Sequence, residues 1–344
     1  MERTNVVTAV QNGTATDMRE LTFTTAAREA LDEEMERNPR IFVVGEGIGE
    51  RGGNFNTTLG LYEKYGPQRL RDTPIVERGF IGMCTGAAMT GTRPVVDFMF
   101  LDFALDAFGE MVNQIAKLQY MSSGRLEMPM VLRGCIGIGG ASATHHSGNY
   151  YPIFAHLPGF RVVIPTTPRD AKGMLKTALR GSDPVLFLEH KLLLNVKGDV
   201  PDPSADELIP FGKAAIRRPG TDVTVVAIGA MVDKSVQAAD YLAQEGTEIE
   251  VIDLRSIAPM DEETILASVA KTGRLLIVDE DFQPCGMGAE ISAVVMEKAF
   301  DELDAPVQRL NGIFTPVPYS PVLENAVTLS REQILQAMRD LLAE

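Results

Sequence analysis

The nine residues Asp-Thr-Pro-Ile-Val-Glu-Arg-Gly-Phe at positions 72–80 mark a turn followed by the start of a helix. Pro74 fixes its own backbone and disfavours helical geometry at the residue before it, so the helix can begin only near residues 75–77. Residues 80–89 are apolar or small on every side of that helix, which is typical of a helix buried all round. The sequence therefore predicts that Glu77 lies in the first turn of a buried helix.

Glu77 is the candidate reactive group of this stretch. A carboxylate in a buried first turn is costly to ionise, and the positive end of the helix offsets only part of that cost. Such an acid can hold or pass a proton to a ligand. Acids are also common in first helical turns simply because they complement the helix dipole. The residues alone leave both interpretations open.

Outward from this turn, short apolar runs alternate with helical patterns through the first half of the chain. Continuous apolar runs are typical of strands covered on both faces, and they occur at residues 41–44, 94–99, 130–132, 161–164 and 185–188. Apolar residues at helical spacing predict helices near 24–38, 56–65, 79–89, 103–118 and 168–181. This alternation predicts an α/β domain with a doubly wound, mainly parallel sheet.

The second half repeats the alternation on a smaller scale. Residues 192–210 contain the segment Lys-Gly-Asp-Val-Pro-Asp-Pro at 197–203 and show little apolar periodicity, which predicts a linker. Apolar runs then recur at 223–228, 249–252, 275–278 and near 307, and the last helical pattern covers 331–343. We therefore expect a polar arm at residues 1–19, a first domain at 20–195, a linker at 196–212 and a smaller α/β domain at 213–344.

Charge and cysteine content exclude several classes of protein. The chain has 344 residues and a net charge of -15, which argues against nucleic acid or an anionic membrane as a partner. The three cysteines, Cys84, Cys135 and Cys285, are too widely spaced to indicate a disulfide framework or a zinc site. No apolar run approaches the about 18 residues of a membrane span, and no signal pattern opens the chain. We expect a cytoplasmic protein.

A glycine-rich loop at residues 137–148 carries His145 and His146 near its end. Glycines let a backbone approach a ligand closely. The loop lacks the Gly-Lys-Ser/Thr ending of a phosphate-binding loop, no Gly-x-Gly-x-x-Gly follows the first strand, and adjacent histidines make a poor metal site. The Gly-x-Ser-x-Gly motif of one hydrolase class is also absent. His146 can be a functional residue or a plain loop histidine.

A series of motifs, in order along the chain, resembles one known family. The motifs occupy residues 45–46, 72–80, 91–94, 98–99, 113–117, 146–147, 156–159, 170–173 and 253–261. Together they resemble the beta subunit of the thiamine-diphosphate-dependent, decarboxylating first component of 2-oxo acid dehydrogenase complexes. The resemblance extends over nearly the whole chain from about residue 20, and residues 189–193 look most like the acetoin dehydrogenase branch.

This resemblance implies a transketolase-like pyrimidine-binding domain followed by a C-terminal transketolase-like domain. It implies that Glu77 hydrogen-bonds the aminopyrimidine ring of thiamine diphosphate, and that His146 assists the reductive acylation of a lipoyl group. The positions that match the family's cofactor contacts are Glu46, Ile75, Glu77, Met99 and Phe103. Among these, Phe103 matches the aromatic residue that packs on the pyrimidine.

The resemblance also implies ions and partners. Relatives hold a structural potassium ion, mainly through backbone carbonyl groups, at positions that match Met130, Ala178, Leu179, Gly181 and Asp183. The chain contains no Gly-Asp-Gly segment of the kind that holds diphosphate through magnesium, so an alpha subunit is expected to hold the magnesium and to share the thiamine diphosphate. The implied assembly is an alpha-two beta-two heterotetramer that works with a lipoyl-bearing acyltransferase on a small 2-oxo acid or acetoin.

Two other functions stay open, and three positions depart from the family pattern. The chain can be half of a split transketolase-like ligase that passes its carbanion to an aldehyde, or a non-catalytic scaffold of the same fold. Arg78 stands where relatives commonly have Met, His145 where they have Gln, and residues 133–137 lack the usual Pro. Arg78 is expected either to recognise an acidic substrate or to pair across a subunit interface.

Overall fold

The computed structural model describes residues 17–344. The strands in this part of the chain are β1 (Met18–Thr22), β2 (Ile41–Gly45), β3 (Leu70–Asp72), β4 (Arg93–Phe100), β5 (Val131–Ile136), β6 (Arg161–Val163), β7 (Val185–His190), β8 (Lys197–Pro201), β9 (Ala215–Arg218), β10 (Val223–Ala227), β11 (Ile249–Asp253), β12 (Ser256–Ala258), β13 (Leu275–Phe282) and β14 (Gln308–Gly312).

The helices are α1 (Phe23–Arg37), α2 (Leu61–Tyr65), α3 (Glu77–Met89), α4 (Leu101–Ala104), α5 (Phe108–Glu110), α6 (Leu118–Met121), α7 (Tyr151–Ala155), α8 (Pro168–Arg180), α9 (Met231–Ala243), α10 (Glu262–Thr272), α11 (Met287–Lys298), α12 (Pro321–Val327) and α13 (Arg331–Ala343). A π-helical turn covers Met111–Ile115, and short 3₁₀ turns include Leu105–Ala107, Thr144–His146 and Lys191–Leu193.

The first sheet has seven strands in the order β12-β6-β7-β5-β4-β2-β3. Every neighbouring pair from β6 to β3 is parallel. Helices cover both faces: Val95 of β4 belongs to the core shared with α1 and α8, whereas the next residue, Val96, belongs to the core shared with α3. The prediction of a doubly wound, mainly parallel sheet is therefore confirmed.

The second sheet has five strands in the order β14-β13-β10-β11-β9, and only the edge strand β9 is antiparallel. Helices α9 and α13 share the core on one face, and α10 and α11 share the core on the other. Strand β12, which comes from this half of the chain, pairs antiparallel with β6 at the edge of the first sheet. The two halves are therefore joined through a shared sheet edge.

The stretch 196–212, predicted to be a linker, contains a strand. Strand β8 pairs antiparallel with β1, so that Met18 lies opposite Pro201 and Thr22 opposite Lys197. The end of the predicted N-terminal arm therefore takes part in a two-stranded ribbon. The sequence did not indicate this pairing because both strands are short and mostly polar, and neither shows the alternation on which strand prediction depends. The rest of the predicted arm, residues 1–16, lies outside the described residues.

The long amphipathic helix predicted at 103–118 was wrong. The chain instead passes through α4, a 3₁₀ turn, α5, the π-helical turn and α6. These breaks bury the small side chains of Ala104 and Ala107 and leave Phe103 and Phe108 only half-buried. The buried residues Leu101, Ala104, Ala107, Met111 and Ile115 keep helical spacing, so the sequence pattern could not reveal where the hydrogen bonding changes. The helix predicted near 56–65 is likewise only α2, because Gly60 before it has a φ of +83°.

Helix α3 begins as predicted but is not buried all round. Phe80, Ile81 and Cys84 are buried, whereas Met83 on the opposite side is 47% exposed. The sequence pattern thus reflects an apolar outer face that this chain does not cover. In the described part of the chain, no helix is long and apolar enough to cross a membrane.

Candidate active site

Glu77 is placed by the turn that follows β3. Strands β2 and β3 run side by side, with Gly45 opposite Asp72, and the Thr73 N–H donates to the Gly45 carbonyl oxygen over 3.1 Å. This turn directs Glu77 inward, so that it is only 8% exposed, while Ile75 in the same turn is 81% exposed. Within residues 17–344 the Glu77 carboxyl makes no hydrogen bond. It is a buried acid without a partner, next to an open apolar surface.

A second carboxyl group, that of Glu46, faces Glu77. Glu46 follows the end of β2, and the carboxyl ends of the parallel strands β2 and β3 meet at the same edge of the sheet. Burial raises the pKa of Glu46 above its usual value, and the negative charge of Glu77 raises it further. The structure therefore brings the two acids named from the sequence into electrostatic contact.

Met99 is held in an uncommon backbone conformation near the end of β4. Its φ is +63°, a region that costs a non-glycine residue about 1–3 kcal/mol and that concentrates at functional sites. The buried carboxylate of Asp97 holds this turn, since it accepts from the Met99 N–H over 2.8 Å and from the Thr57 hydroxyl over 2.9 Å. The Asn54 amide contacts the Met99 sulfur. Met99 is thus positioned by residues of the loop after β2.

Phe103 and His146 lie together although they are far apart in the sequence. The His146 ring lies edge-on to two phenylalanines, with centroid distances of 4.7 Å to Phe100 and 5.4 Å to Phe103. Next to them, the Gly148 N–H donates to the Asp102 carboxylate over 3.2 Å. Burial raises the pKa of Asp102 above its usual value, and the Gly148 N–H opposes that shift. The predicted histidine therefore sits in an aromatic cleft at the end of β4.

Two of the three positions that depart from the family pattern have contacts within the chain. The Arg78 guanidinium lies 3.5 Å from the Glu110 carboxylate and donates to the Asp106 carbonyl oxygen over 3.3 Å, although its side chain is 64% exposed. In β5, Arg133 forms an ion pair with Glu189 at 2.7 Å, and both side chains are at most 2% exposed. The neighbouring thiol of Cys135 is buried, and this burial raises its pKa well above the usual value. Residues 133–135 therefore form part of the interior of the sheet.

Two of the five predicted potassium ligands accept hydrogen bonds from an arginine side chain. The Arg93 guanidinium donates to the Leu179 carbonyl oxygen over 3.0 Å and also to the Gly181 carbonyl oxygen. The Met130 carbonyl oxygen accepts from the Val185 N–H over 2.9 Å. Asp183 accepts from Arg161 through its side chain. Three of the five positions therefore already face a positive charge that belongs to this chain.

A cavity of about 290 Å³ separates the histidine loop from the second sheet. Ser147, Asn149 and Tyr150 line one side of it, and Asp281 and Phe314 line the other. Burial raises the pKa of Asp281 to about 8, and the adjacent Asp279 adds to that rise. Burial also raises the pKa of Asp279 to about 6. The cavity wall thus contains a carboxyl group that is easily protonated.

Comparison with known families agrees with this architecture. Residues 19–197 match the pyrimidine-binding domain of transketolase, and residues 212–334 match the transketolase C-terminal domain. A split-gene transketolase, solved as an inactive β4 tetramer, has the same fold, with a TM-score of 0.75 at 24% identity over 94% of this chain and 98% of that chain. Fold and domain order define a transketolase-like protein, for which the cofactor implied is thiamine diphosphate.

Three relatives narrow the class of transketolase-like protein to which this chain belongs. The chain is 43% identical to the beta subunit of the mitochondrial pyruvate dehydrogenase E1 component of Dictyostelium discoideum, over 93% of this chain and 91% of that protein. It is 44% identical to the beta subunit of acetoin:2,6-dichlorophenolindophenol oxidoreductase of Cupriavidus necator, over 93% and 97%. It is 40% identical to the 2-oxoisovalerate dehydrogenase beta subunit of Bacillus subtilis, over 94% and 99%. The chain belongs to the family of E1 beta subunits of 2-oxo acid dehydrogenases.

Sequence reasoning missed three residues of this site. Phe100 and Asp102 flank the end of β4 beside Phe103, and their position just after a buried strand was a signal that could have identified them. Lys191 contacts the histidine segment, but the sequence offered no sign of that contact. It depends on the pairing of β7 with β5, which places the end of one strand beside the loop that follows the other.

Proposed function

We propose that this chain is the beta subunit of a thiamine-diphosphate-dependent dehydrogenase that acts on a small 2-oxo acid or acetoin and transfers the acyl group to lipoyl-lysine of a partner acyltransferase. The observation that carries the proposal is the Glu77 carboxyl, which is buried, has no hydrogen-bond partner in the described chain and opens onto an exposed apolar turn. The 2-oxo acid and acetoin dehydrogenase relatives support the same chemistry.

Glu77 and the apolar residues matched to the family's cofactor contacts fit the pyrimidine half of the cofactor. A free buried carboxyl group can hydrogen-bond a ring nitrogen, and the half-buried ring of Phe103 with the side chains of Ile75 and Met99 supplies an apolar surface for a flat heterocycle. Bound thiamine diphosphate supplies the carbon nucleophile and electron sink for the reaction. In this proposal Glu77 holds the proton at the pyrimidine ring nitrogen, and Glu46 lies beside it as a second acid.

His146 is proposed to serve the lipoyl group. In the overall reaction of a 2-oxo acid, the bond between the carboxylate carbon and the keto carbon breaks and carbon dioxide leaves. The electron pair left on the keto carbon forms the bond to one lipoyl sulfur, the disulfide opens, and the second sulfur takes a proton. In this proposal the His146 imidazole, which packs edge-on against Phe100 and Phe103, donates that proton as a general acid.

The outer face of α3 supports a shared site with an alpha subunit. Gly82 and Gly86 are exposed on this face, and a side chain added at either would meet nothing within 4 Å. Helices pack most closely where such small residues leave room for a second backbone. A chain docked there would also cover Ile75 and close over Glu77. We propose that the alpha subunit docks at this face, holds the diphosphate and magnesium, and forms an alpha-two beta-two heterotetramer.

We also propose a potassium ion at the carbonyl groups of Met130, Ala178, Leu179 and Gly181 and at Asp183. Each carbonyl oxygen has two lone pairs, so the hydrogen bonds from Arg93 leave room for a further ligand. Potassium would then lie near the guanidinium and tie the end of α8 to the start of β5.

The test is co-expression of this chain with its cognate alpha subunit, followed by assays with pyruvate, 2-oxoisovalerate and acetoin. Substrate-dependent reduction of 2,6-dichlorophenolindophenol reports carbanion formation, and acylation of free lipoamide reports group transfer. We expect one substrate to support both reactions. Consumption of an added aldehyde without acylation of lipoamide would establish the ligase instead, and an intact complex with no turnover on any substrate would establish a scaffold.

A further inference from the structure

The loop that carries His146 is fastened by contacts from three sides. On the side of the second sheet, the Ala141 N–H donates to Glu324 over 3.0 Å, and the Thr144 hydroxyl donates to the Val317 carbonyl oxygen over 3.0 Å. On the side of β4, Asp102 accepts from the Gly148 N–H. No described residue hydrogen-bonds either ring nitrogen of His146. Its position therefore depends on the backbone around it and on the two phenylalanine rings.

The third contact comes from Lys191, directly after β7. Its ammonium group donates to the carbonyl oxygen of His146 itself over 2.8 Å and to the hydroxyl of Ser147 over 3.1 Å. Lys191 reaches this segment because β7 lies beside β5 in parallel register, with His190 opposite Ile136 at the start of the loop. Both hydrogen bonds of the ammonium group therefore go to the segment that carries the histidine.

The surroundings of Lys191 explain why these bonds matter. Its side chain is partly buried, and burial of a charge is unfavourable unless hydrogen bonds replace those to water. Burial lowers the pKa of Lys191, while Glu324, Glu280, Cys135 and Asp102 act in the opposite direction. None of these groups lies within salt-bridge distance of the ammonium in the described structure. The compensation comes from His146 and Ser147, so the lysine and the histidine segment stabilise each other.

We infer that Lys191 is a positioning residue that fixes the backbone of His146 so that its imidazole stays packed against Phe100 and Phe103 during acyl transfer. This inference rests on the proposed function, because it assigns Lys191 to the lipoyl step. Lys191 makes no contact with Glu77 and serves no part of carbanion formation. Loss of its ammonium group should therefore affect group transfer and spare the earlier chemistry.

The experiment compares Lys191→Met, Lys191→Arg and Ser147→Ala in the complex co-expressed with the alpha subunit. Displacement of a catalytic group by about 1 Å can reduce a rate by about 100-fold. We expect Lys191→Met to lower kcat for lipoamide acylation at least about tenfold with KM unchanged, and to leave dye reduction within about twofold. Lys191→Arg keeps the charge and donors and should recover much of the loss. Ser147→Ala removes one acceptor and should lower acylation by about threefold.

Lys197→Met is the matched control, since Lys197 lies on the exposed strand β8 with a side chain that is 65% exposed. It should leave both activities unchanged. Normal acylation by Lys191→Met, or an equal fall in acylation and dye reduction, would overturn the inference. If Lys191→Met does not fold, Ser147→Ala decides the question, and full acylation by that variant would also overturn it. A wild-type complex that reduces no dye would instead overturn the proposed function. Failure of the proposed function can therefore be told apart from failure of the inference about Lys191.

Discussion

The imidazole of His146 and the ring of Phe103 meet edge to face, with their centroids 5.4 Å apart and their planes at 87°. This contact joins the end of β4 to the loop that follows β5. Phe103 therefore touches both the proposed cofactor site and the histidine proposed for acyl transfer. The ring of Phe103 is proposed to pack against the pyrimidine, while His146 is proposed to protonate the lipoyl group. The following substitutions separate these roles.

Replacement of Phe103 by Ala should weaken both functions. Loss of an aromatic contact of this kind costs about 0.5–1.5 kcal/mol beyond the area removed, so the Kd for thiamine diphosphate in the complex should rise about tenfold and lipoamide acylation should fall further. Calorimetry and the acylation assay measure the two effects. Phe300→Ala, at a side chain that is 61% exposed, is the control. Unchanged cofactor affinity in Phe103→Ala would remove Phe103 from the cofactor site.

Glu77→Gln should abolish most turnover and keep the fold. The substitution removes the acidic proton but little volume, and loss of an acid–base group typically lowers a rate by about 10²–10⁴-fold. Steady-state dye reduction measures turnover, and circular dichroism with size exclusion of the complex checks folding and assembly. Glu63→Gln serves as control because Glu63 is an exposed first-turn acid of α2. If Glu77→Gln turned over at the wild-type rate, the assignment of Glu77 would be wrong.

Asp281→Asn should stabilise the chain, and more so at high pH. Its pKa is raised to about 8 in the folded chain by burial, so between about pH 4, near the ordinary value, and pH 8 the folded state binds a proton that the unfolded state has lost. Stability therefore falls as the pH rises through this range. The amide of Asn does not titrate, so the variant does not lose stability in this way as the pH rises.

The expected gain is about 1 kcal/mol, or about 2–4 °C in Tm, at pH 8, with little difference at pH 4.5. Differential scanning fluorimetry at the two pH values measures it. Asp301→Asn, at an exposed acid of the same domain, should show no such dependence. An equal effect of Asp281→Asn at both pH values would contradict the buried, protonated carboxyl.

Potassium should raise the Tm relative to sodium at equal ionic strength, because a ligand that binds only the folded state stabilises it. The expected difference is about 2–4 °C, measured at saturating KCl against the same concentration of NaCl. Identical melting in both salts would show that the Arg93 guanidinium alone satisfies the carbonyls of Leu179 and Gly181.

The sequence by itself determined the central strands of both sheets, most of the helices that cover them, the turn before Glu77 and the motifs that mark the family. Short-range rules suffice there, because Pro74 sets the start of α3 and continuous apolar runs mark strands that are covered on both faces. The proximity of Glu46 to Glu77 also follows from the sequence once β2 and β3 are taken as parallel neighbours.

Only the tertiary structure decided the contacts that join distant segments. The breaks between residues 101 and 121, the pairing of β8 with β1, the addition of β12 to the first sheet and the Lys191 contact to His146 all depend on which elements become neighbours. Local sequence patterns do not predict these features, because the contacts involved form between segments that are distant in the chain. The sequence also could not show that one face of α3 is exposed. The helix is apolar or small on every side, but this chain covers only one side of it.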